Sequence, residues 1–430
     1  MKLTIKRSRD HKTDYILILF IALWSSEIML PLALEVIKRI PIVEYASGVI
    51  AITFWTVIIL LAAYYILRRL RYRDVLFYVL VALIVFIQML TINQYTAQLE
   101  NKWISILFSC LPYYFVGVAL NIDALCDTKS NSYRLLLWMS YANLIVDVMY
   151  FVFYSAGIVS DNTYVDALNT NIRYTSFMFF AYATLPHLMF VFYDYLNARR
   201  KASLIISIVG LLVILAQGTR GAVLCFAVFA AITLMVRFAH IKVVYKMLII
   251  AITFAFAIVF ATTDILSNVA NFLQAIMYKL GFSTRVLDSF LNADYIGDSG
   301  RLDLFKLAAN AMKDAPVFGY GLTGDETILG VYSHNLFLEL WLEFGLLLAT
   351  GMIAAIVILI YKGYRKAACH SSISASFFAL FLVLGFVKLL VSGTYLTEKW
   401  FFFLIGLSIQ LIRRKCLTRN TSLNTERNSE

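Results

Sequence analysis

Long apolar stretches with few charges recur along the whole chain, and they constrain the fold more than any other feature. Hydrophobic residues make up 61% of the 430 residues and charged residues 15%, whereas an ordinary globular domain has about 25% charged residues. A water-soluble protein of this size could not bury so much apolar surface. In lipid, a helix of about 20 apolar residues satisfies its own backbone hydrogen bonds. The sequence therefore predicts an all-α polytopic membrane protein.

The sequence contains about twelve apolar stretches long enough to span the membrane, and a long, more polar segment follows the ninth. Nine fall within residues 1–263 and three within 334–413, while 264–333 and 414–430 are predicted to lie outside the membrane. The predicted spans lie near residues 15–37, 45–67, 75–92, 104–124, 135–157, 175–195, 203–217, 221–236, 247–263, 336–360, 372–395 and 400–412.

Basic residues are spread unevenly over the connections between these spans. The clusters RRLRYR (68–73), RRK (199–201), YKGYRK (361–366) and RRKCLTR (413–419) share one side of the membrane if both termini lie there too. Lys and Arg are retained on the cytoplasmic side, so both termini are predicted to be cytoplasmic and residues 264–333 to form a long external loop. The net charge of +11 is assigned to topology and lipid contact rather than to nucleic-acid binding.

The external loop contains one patterned stretch, SGRLDLFKLAANAMKDAPVFGYGL (299–322). Pro316 ends the pattern because proline cannot continue a helix. Before it, apolar residues recur at helical spacing at Leu302, Phe305, Leu307, Ala308 and Met312. This spacing predicts an amphipathic helix that lies on the membrane or caps the outer opening of the bundle.

Two arginines stand out by their predicted positions on the outer side. Arg220 lies in AQGTRGAVL between two short spans, against the charge bias, and Arg301 opens the external helix after Asp298-Ser299-Gly300. Arg220 is interpreted either as an anchor reaching lipid headgroups or as a phosphate ligand, since a guanidinium matches phosphate oxygens in pairs. Arg301 is either a solvated side chain or part of an anion site at a helix amino terminus.

His334 lies between Ser333 and Asn335, where the external loop meets the next predicted span. Such a cluster is either a helix cap or the setting of a general base that takes a proton from a sugar hydroxyl near neutral pH. Gly319 and Gly321 follow Pro316 and predict a tight turn, which alone does not indicate phosphate binding.

Glu339 and Glu343 are four residues apart and therefore share one helical face. Carboxylates are costly inside a membrane, so both are expected to face the bundle and to find partners there. The candidate partners are Arg220, Arg301 and Lys388, the last of which lies inside a predicted span itself.

Other polar residues indicate structure rather than chemistry. Asp147 and His187 lie in predicted spans and are expected to serve packing or hydrogen bonds between helices. The five cysteines contain no CxxC pair, which indicates neither a zinc site nor a disulfide framework. Because the outer segment also lacks a clustered set of carboxylates, no metal and no cofactor are expected.

Several short motifs in the last half of the chain occur together in a recognisable order, over residues 217–350. This arrangement resembles the shared domain of bacterial O-antigen ligases and polysaccharide repeat-unit polymerases, the WaaL/Wzy-like family. The motifs that carry the resemblance are GTRGAVL (218–224), Gly300-Arg301, Pro316 with Gly319 and Gly321, His334-Asn335, and Glu343-Phe344-Gly345.

The resemblance implies a metal-independent glycosyltransferase of the bacterial plasma membrane. Its donor would be an undecaprenyl-diphosphate-linked oligosaccharide, and a chain-length regulator protein would be a candidate partner. Arg220 and Arg301 would hold the diphosphate, and His334 would act as base or orient the acceptor. Gly319, Gly321, Asn335, Glu339, Glu343 and Lys388 complete the predicted substrate-binding set.

Three functions remain open at this point. A polymerase would join lipid-linked repeat units into O-antigen, capsular or exopolysaccharide chains on the outer face of the membrane, and it is preferred. A ligase would transfer finished polymer to a lipid A core; it is disfavoured by Leu348, because ligases often carry a small or polar residue three positions after the glycine. A flippase or transporter is expected to show two related halves and a midplane site, which this sequence lacks.

Overall fold

The computed structural model describes residues 14–38, 109–155, 178–238, 265–279, 301–314 and 319–414, with single positions between 49 and 86. Most of the predicted spans 45–67 and 75–92, all of 247–263, and the tail from residue 415 lie outside the described residues. Over the described ranges, every regular element is helical.

The described helices are numbered here in chain order. α1 to α7 are Asp14–Lys38, Leu111–Ala119, Ile122–Cys126, Asn131–Ser155, Met178–Ala198, Lys201–Ala216 and Arg220–Phe238. α8 to α13 are Ile265–Lys279, Arg301–Asp314, Gly324–Leu329, Leu336–His370, Ser372–Leu382 and Lys399–Arg413. After α12 the chain continues through a π-helical turn, Val383–Val387, and a 3₁₀ turn, Lys388–Leu390.

Four described segments are long and apolar enough to cross a membrane: Asn131–Val152, Arg220–Phe238, Leu336–His370 and Ser372–Leu390. This confirms the predicted class, an all-α protein with membrane-spanning helices. The total of about twelve spans stays a prediction, as do the domain boundaries and the external loop, because many of the residues concerned are not described.

Aromatic side chains form the centre of the bundle, where α1, α5, α12 and α13 meet. Trp24 packs edge-on against Trp400 with ring centroids 5.5 Å apart, and Phe381 lies 4.4 Å from Phe403. All four are at most 1% exposed. Large rings pack well in this position because the surrounding helices exclude lipid from both of their faces.

The predicted span 336–360 lies within a longer helix that starts at the predicted residue. α11 reaches His370 and is broken at Gly345, whose φ of 73° and ψ of 167° are not helical. Glycine adopts this conformation without a Cβ clash, which other residues do not. Leu347, just after the break, is 80% exposed, as expected of a lipid-facing side chain. The break therefore divides α11 into a nine-residue segment, Leu336–Phe344, and a longer segment that ends at His370.

The helix predicted before Pro316 is confirmed as α9, but its packed face differs from the predicted one, and its external location stays a prediction. Ala308 is fully buried, and Leu304, Ala311 and Met312 lie beside it against α10 and α11. Leu307, which belonged to the predicted face, is 46% exposed. The packed stripe therefore follows the spacing i, i+4, i+7, i+8, which is the spacing of one helical face.

The helix ends define two opposite faces of the bundle. Connections 217–219 and 391–398, together with the loop 319–335, lie on one face, called here the site face. The short connections 127–130 and 199–200 lie on the other and carry Lys129, Arg199 and Arg200. This arrangement agrees with the predicted topology, in which the site face points outward; the direction itself stays a prediction.

Candidate functional site

Arg220 is the first residue of α7, directly after the tight connection from α6. Gly218 in that connection has a φ of 74°, and its N–H donates to the Leu215 carbonyl at 3.0 Å. The amino terminus of a helix carries a partial positive charge, so an arginine in this place is unfavourable unless negative charge lies near it. The position therefore suits an anion site, as the sequence predicts.

Gly221 brings the start of α7 close to two other elements. A Cβ at this position would overlap the Tyr182 hydroxyl of α5 and would lie 3.5 Å from Val391 Cγ2. Only a residue without a side chain lets these elements approach so closely. Arg220 is thereby held next to the turn formed by residues 388–398, called here the site turn.

His334 is held on the site face in an unusual backbone conformation. Its φ is 55°, in the left-handed region that only a few per cent of non-glycine residues adopt. Its ring is half-buried and packs against the Tyr332 ring with centroids 4.0 Å apart. The imidazole is therefore fixed by its own backbone and by an aromatic neighbour.

Asn335 joins the histidine to the site turn. Its Oδ1 accepts hydrogen bonds from Phe337 N at 3.0 Å and Leu338 N at 3.3 Å, which makes it the amino-terminal cap of α11. Its Nδ2 donates to the Leu390 carbonyl at 3.4 Å. The His334 loop and the Arg220 connection thus both contact the site turn, although they are more than 100 residues apart in sequence.

Glu339 and Glu343 lie on one face of α11, as predicted, and each is 1% exposed. Glu339 accepts hydrogen bonds from Thr394 Oγ1 and from Tyr395 N, the latter at 3.4 Å. Glu343 accepts from Thr323 N at 2.7 Å and from the Tyr395 hydroxyl at 2.6 Å. These donors are hydroxyl and amide groups of the site face. Lys388, one of the predicted partners, contacts Glu398, and pairing with Arg220 or Arg301 stays a prediction.

Tyr395 contacts both glutamates and keeps its proton there. Burial, followed by the nearby charges of Glu343 and Glu339, raises the pKa of the Tyr395 hydroxyl well above its ordinary value. The hydroxyl therefore remains a donor to Glu343 at any ordinary pH. Tyr395 ties the site turn to α11.

Gly319 and Gly321 dock the loop onto the break in α11. Tyr320 N donates to the Leu342 carbonyl at 2.7 Å, and Gly321 N donates to the Glu343 carbonyl at 2.9 Å. Gly319 has a φ of 69°, and a Cβ there would lie 2.5 Å from the Glu343 carbonyl and from Gly345 N. The two glycines make a close backbone contact, which sequence reasoning interpreted as part of the substrate site.

We expect Gly319→Ala to destabilise the loop strongly. Its left-handed φ costs about 1 kcal/mol or more for alanine, and the Cβ contact with backbone adds to this cost. Thermal unfolding of the purified protein in detergent should show a lower midpoint. Gly351→Ala is the matched control, because Gly351 lies in α11 with nothing within 4 Å of an added Cβ; an equal loss in both variants would contradict the backbone contact.

Lys388 lies in a buried charge network at the site turn. Its Nζ contacts Glu398 Oε2 at 2.6 Å and lies 5.1 Å from the centre of the Tyr182 ring. Lys399 Nζ lies 3.7 Å from Glu27 Oε1. Sequence reasoning named Lys388 but missed Tyr182, Glu27, Glu398 and Lys399, because no local motif links these three distant parts of the chain.

Arg301 is placed by its backbone as the first residue of α9, and its side chain lies outside the described part of the structure. Its role as a diphosphate ligand stays a prediction.

The two lesser candidates serve the bundle, as predicted. Gln217 Nε2 donates to both carboxylate oxygens of Asp147, at 3.3 and 3.4 Å, which joins α4 to the end of α6. His187 is fully buried and packs edge-on against Trp24, with ring centroids 5.3 Å apart. Asp147 thus contacts the connection 217–219, whereas His187 lies in the aromatic centre of the bundle.

The described residues contain no group of three His, Cys, Asp or Glu side chains suited to hold a metal ion. What the site face offers is a guanidinium at a helix amino terminus and an imidazole on a fixed loop. The first suits a phosphate, and the second suits proton transfer.

Comparison with known protein families identifies one match. Residues 204–353 match the family model described as O-antigen ligase, and no curated protein matches the chain. The match spans most of α6, all of α7 to α10 and the first part of α11, and it includes Arg220 and the His334 loop. Members of this family are membrane enzymes that transfer glycans. This integral membrane protein is therefore similar, over residues 204–353, to the O-antigen ligase family.

Proposed function

We propose that this protein is a glycosyltransferase that joins undecaprenyl-diphosphate-linked oligosaccharide repeat units into a polysaccharide at the outer face of a bacterial plasma membrane. The observation that carries the proposal is the meeting of Arg220 and the His334 loop at the site turn. Both lie in the segment that matches the O-antigen ligase family.

The reaction follows from the chemistry of these two groups. An acceptor hydroxyl attacks the anomeric carbon of the donor sugar, and the bond from that carbon to the diphosphate oxygen breaks. The lipid diphosphate leaves with the bonding electrons, and its growing negative charge is stabilised by the Arg220 guanidinium, with Arg301 as the second ligand. His334 accepts the proton of the acceptor hydroxyl.

The remaining predicted ligands fit a supporting role better than direct contact. Glu339, Glu343, Gly319 and Asn335 are engaged in hydrogen bonds or close contacts that build the loop and the site turn. Groups of this kind hold the reacting residues in place, and rigid support is needed for effective catalysis.

A ligase is the second candidate, and two observations favour it. The family model that matches is described as O-antigen ligase. Leu348, the residue that favoured a polymerase, is 57% exposed beyond the break in α11, so its side chain does not line the site. Polymerase and ligase share the donor and differ in the acceptor, which requires a direct test.

Deletion of the gene followed by analysis of the cell-surface glycan separates the candidates. Accumulated single repeat units would support a polymerase, and unattached polymer would support a ligase. Precursors that stay on the cytoplasmic side would indicate a flippase and contradict both transferase proposals. Altered chain length after removal of a separate regulator protein would identify the proposed partner.

We expect turnover to be independent of divalent cations, because guanidinium groups supply the positive charge that the leaving diphosphate requires. Purified enzyme with lipid-linked repeat units should keep its rate in excess chelator. Loss of activity in chelator that a divalent cation restores would contradict this expectation.

A further inference from the structure

Asp325 is a buried carboxylate of the site face that neither the motifs nor the proposed reaction uses. It lies in the first turn of α10 and is 0% exposed. Its Oδ2 accepts a hydrogen bond from Ser333 N at 2.9 Å. Ser333 directly precedes His334, so Asp325 fixes the backbone immediately before the histidine.

The backbone of His334 needs support of this kind. A left-handed φ of 55° is unfavourable for histidine, and such a conformation persists only where its surroundings hold it. The constraints lie on both sides. Ser333 N is held by Asp325, and Asn335 is held by its capping bonds to α11. Both constraints together set the direction of the imidazole.

α10, the helix that carries Asp325, is itself attached to the bundle. Thr323, directly before α10, donates its N–H to Glu343 Oε1 at 2.7 Å, and Glu343 also accepts from Tyr395. Gly330 ends the helix with a left-handed φ of 73° and an N–H bond to the Glu326 carbonyl. A continuous set of contacts thus leads from α11 through α10 to the histidine.

We propose that Asp325 is a positioning residue that orients His334 toward the acceptor hydroxyl. This inference rests on the proposed function. Asp325 is fully buried and contacts the backbone next to the histidine, so it acts through His334 and not through the substrate. Burying a carboxylate costs more free energy than burying a neutral group. The carboxylate also accepts a stronger hydrogen bond from the Ser333 N–H than a neutral group would, and this explains its presence here.

The test uses the full-length protein with purified lipid-linked repeat units. We expect Asp325→Ala to lower turnover by about 10- to 100-fold while KM for the donor changes less than about threefold. Asp325→Asn keeps an acceptor for Ser333 N and should retain most of the turnover. Asp303→Ala is the control for loss of an outer carboxylate, because Asp303 is exposed on α9, and it should leave both constants unchanged.

The decisive comparison is made in a His334→Ala background. If Asp325 acts through His334, the double variant should be no slower than His334→Ala alone, within about twofold. A residue that only stabilises the fold would lower turnover equally in both backgrounds, and this result would overturn the proposal. Wild-type turnover in Asp325→Ala would overturn it as well.

Two further outcomes are also decisive. If Asp325→Ala does not accumulate in the membrane, the comparison is repeated with Asp325→Ser, and failure of both variants to accumulate would assign Asp325 a purely structural role. If the wild-type protein joins no repeat units and transfers no glycan, the proposed function itself fails, whatever the variants do.

Discussion

Arg220→Ala is expected to reduce turnover by about 10²- to 10³-fold, because removing one preorganised donor from a developing negative charge has this order of effect. The protein should still reach the membrane in normal amount, since Arg220 lies at a helix end and not in the aromatic centre. Cells that carry the variant should show no long-chain glycan on a gel.

Two variants sharpen this expectation. Arg220→Lys keeps the charge but loses the planar pair of donors, so it should fall between wild type and alanine. Arg365→Ala is the matched control, because Arg365 is exposed on α11 at the opposite face of the bundle, and it should give a normal ladder. Arg301→Ala should reduce turnover as much as Arg220→Ala. Normal glycan ladders from both alanine variants would contradict the assignment of these arginines as diphosphate ligands.

His334→Ala is expected to lower turnover by about 10²- to 10⁴-fold, the usual contribution of a positioned general base. Donor binding should change little, since the diphosphate is assigned to the arginines. Single-turnover rates and donor affinity, measured separately with purified lipid-linked repeat units, distinguish the two effects.

The left-handed backbone of His334 requires its own control. Alanine is strained at a φ of 55°, whereas asparagine tolerates this region. His334→Asn therefore preserves the loop and removes the base, and it should be as slow as His334→Ala. An asparagine variant that keeps wild-type turnover would show that the loop shape matters and the imidazole does not.

The helical class could be predicted from the sequence, and candidate site residues could be named from it, because their signals are local. Apolar runs indicate helices in a membrane, and the spacing before Pro316 indicated α9. Arg220 and His334 were noticed because a basic or titratable residue at a predicted helix end is unusual. Each of these inferences needed only a short window of sequence.

The features that sequence reasoning missed depend on contacts between distant segments. Glu339 and Glu343 find their partners in Thr394 and Tyr395, more than 50 residues further along the chain, in a turn of ordinary composition. The break at Gly345 was missed for a different reason. One glycine in an apolar run barely changes the hydropathy, and only its φ reveals that the helix stops there.

The charge network at the site turn changes how mutagenesis of Lys388 must be interpreted. Replacing Lys388 alone would leave the buried Glu398 carboxylate without its ion-pair partner, at a cost of about 3–5 kcal/mol. Inactivity of a Lys388 variant could therefore result from misfolding as well as from loss of a substrate contact. Exchanging both partners for neutral residues of similar size removes this ambiguity. For the same reason, divergent relatives should replace the two residues jointly, never singly.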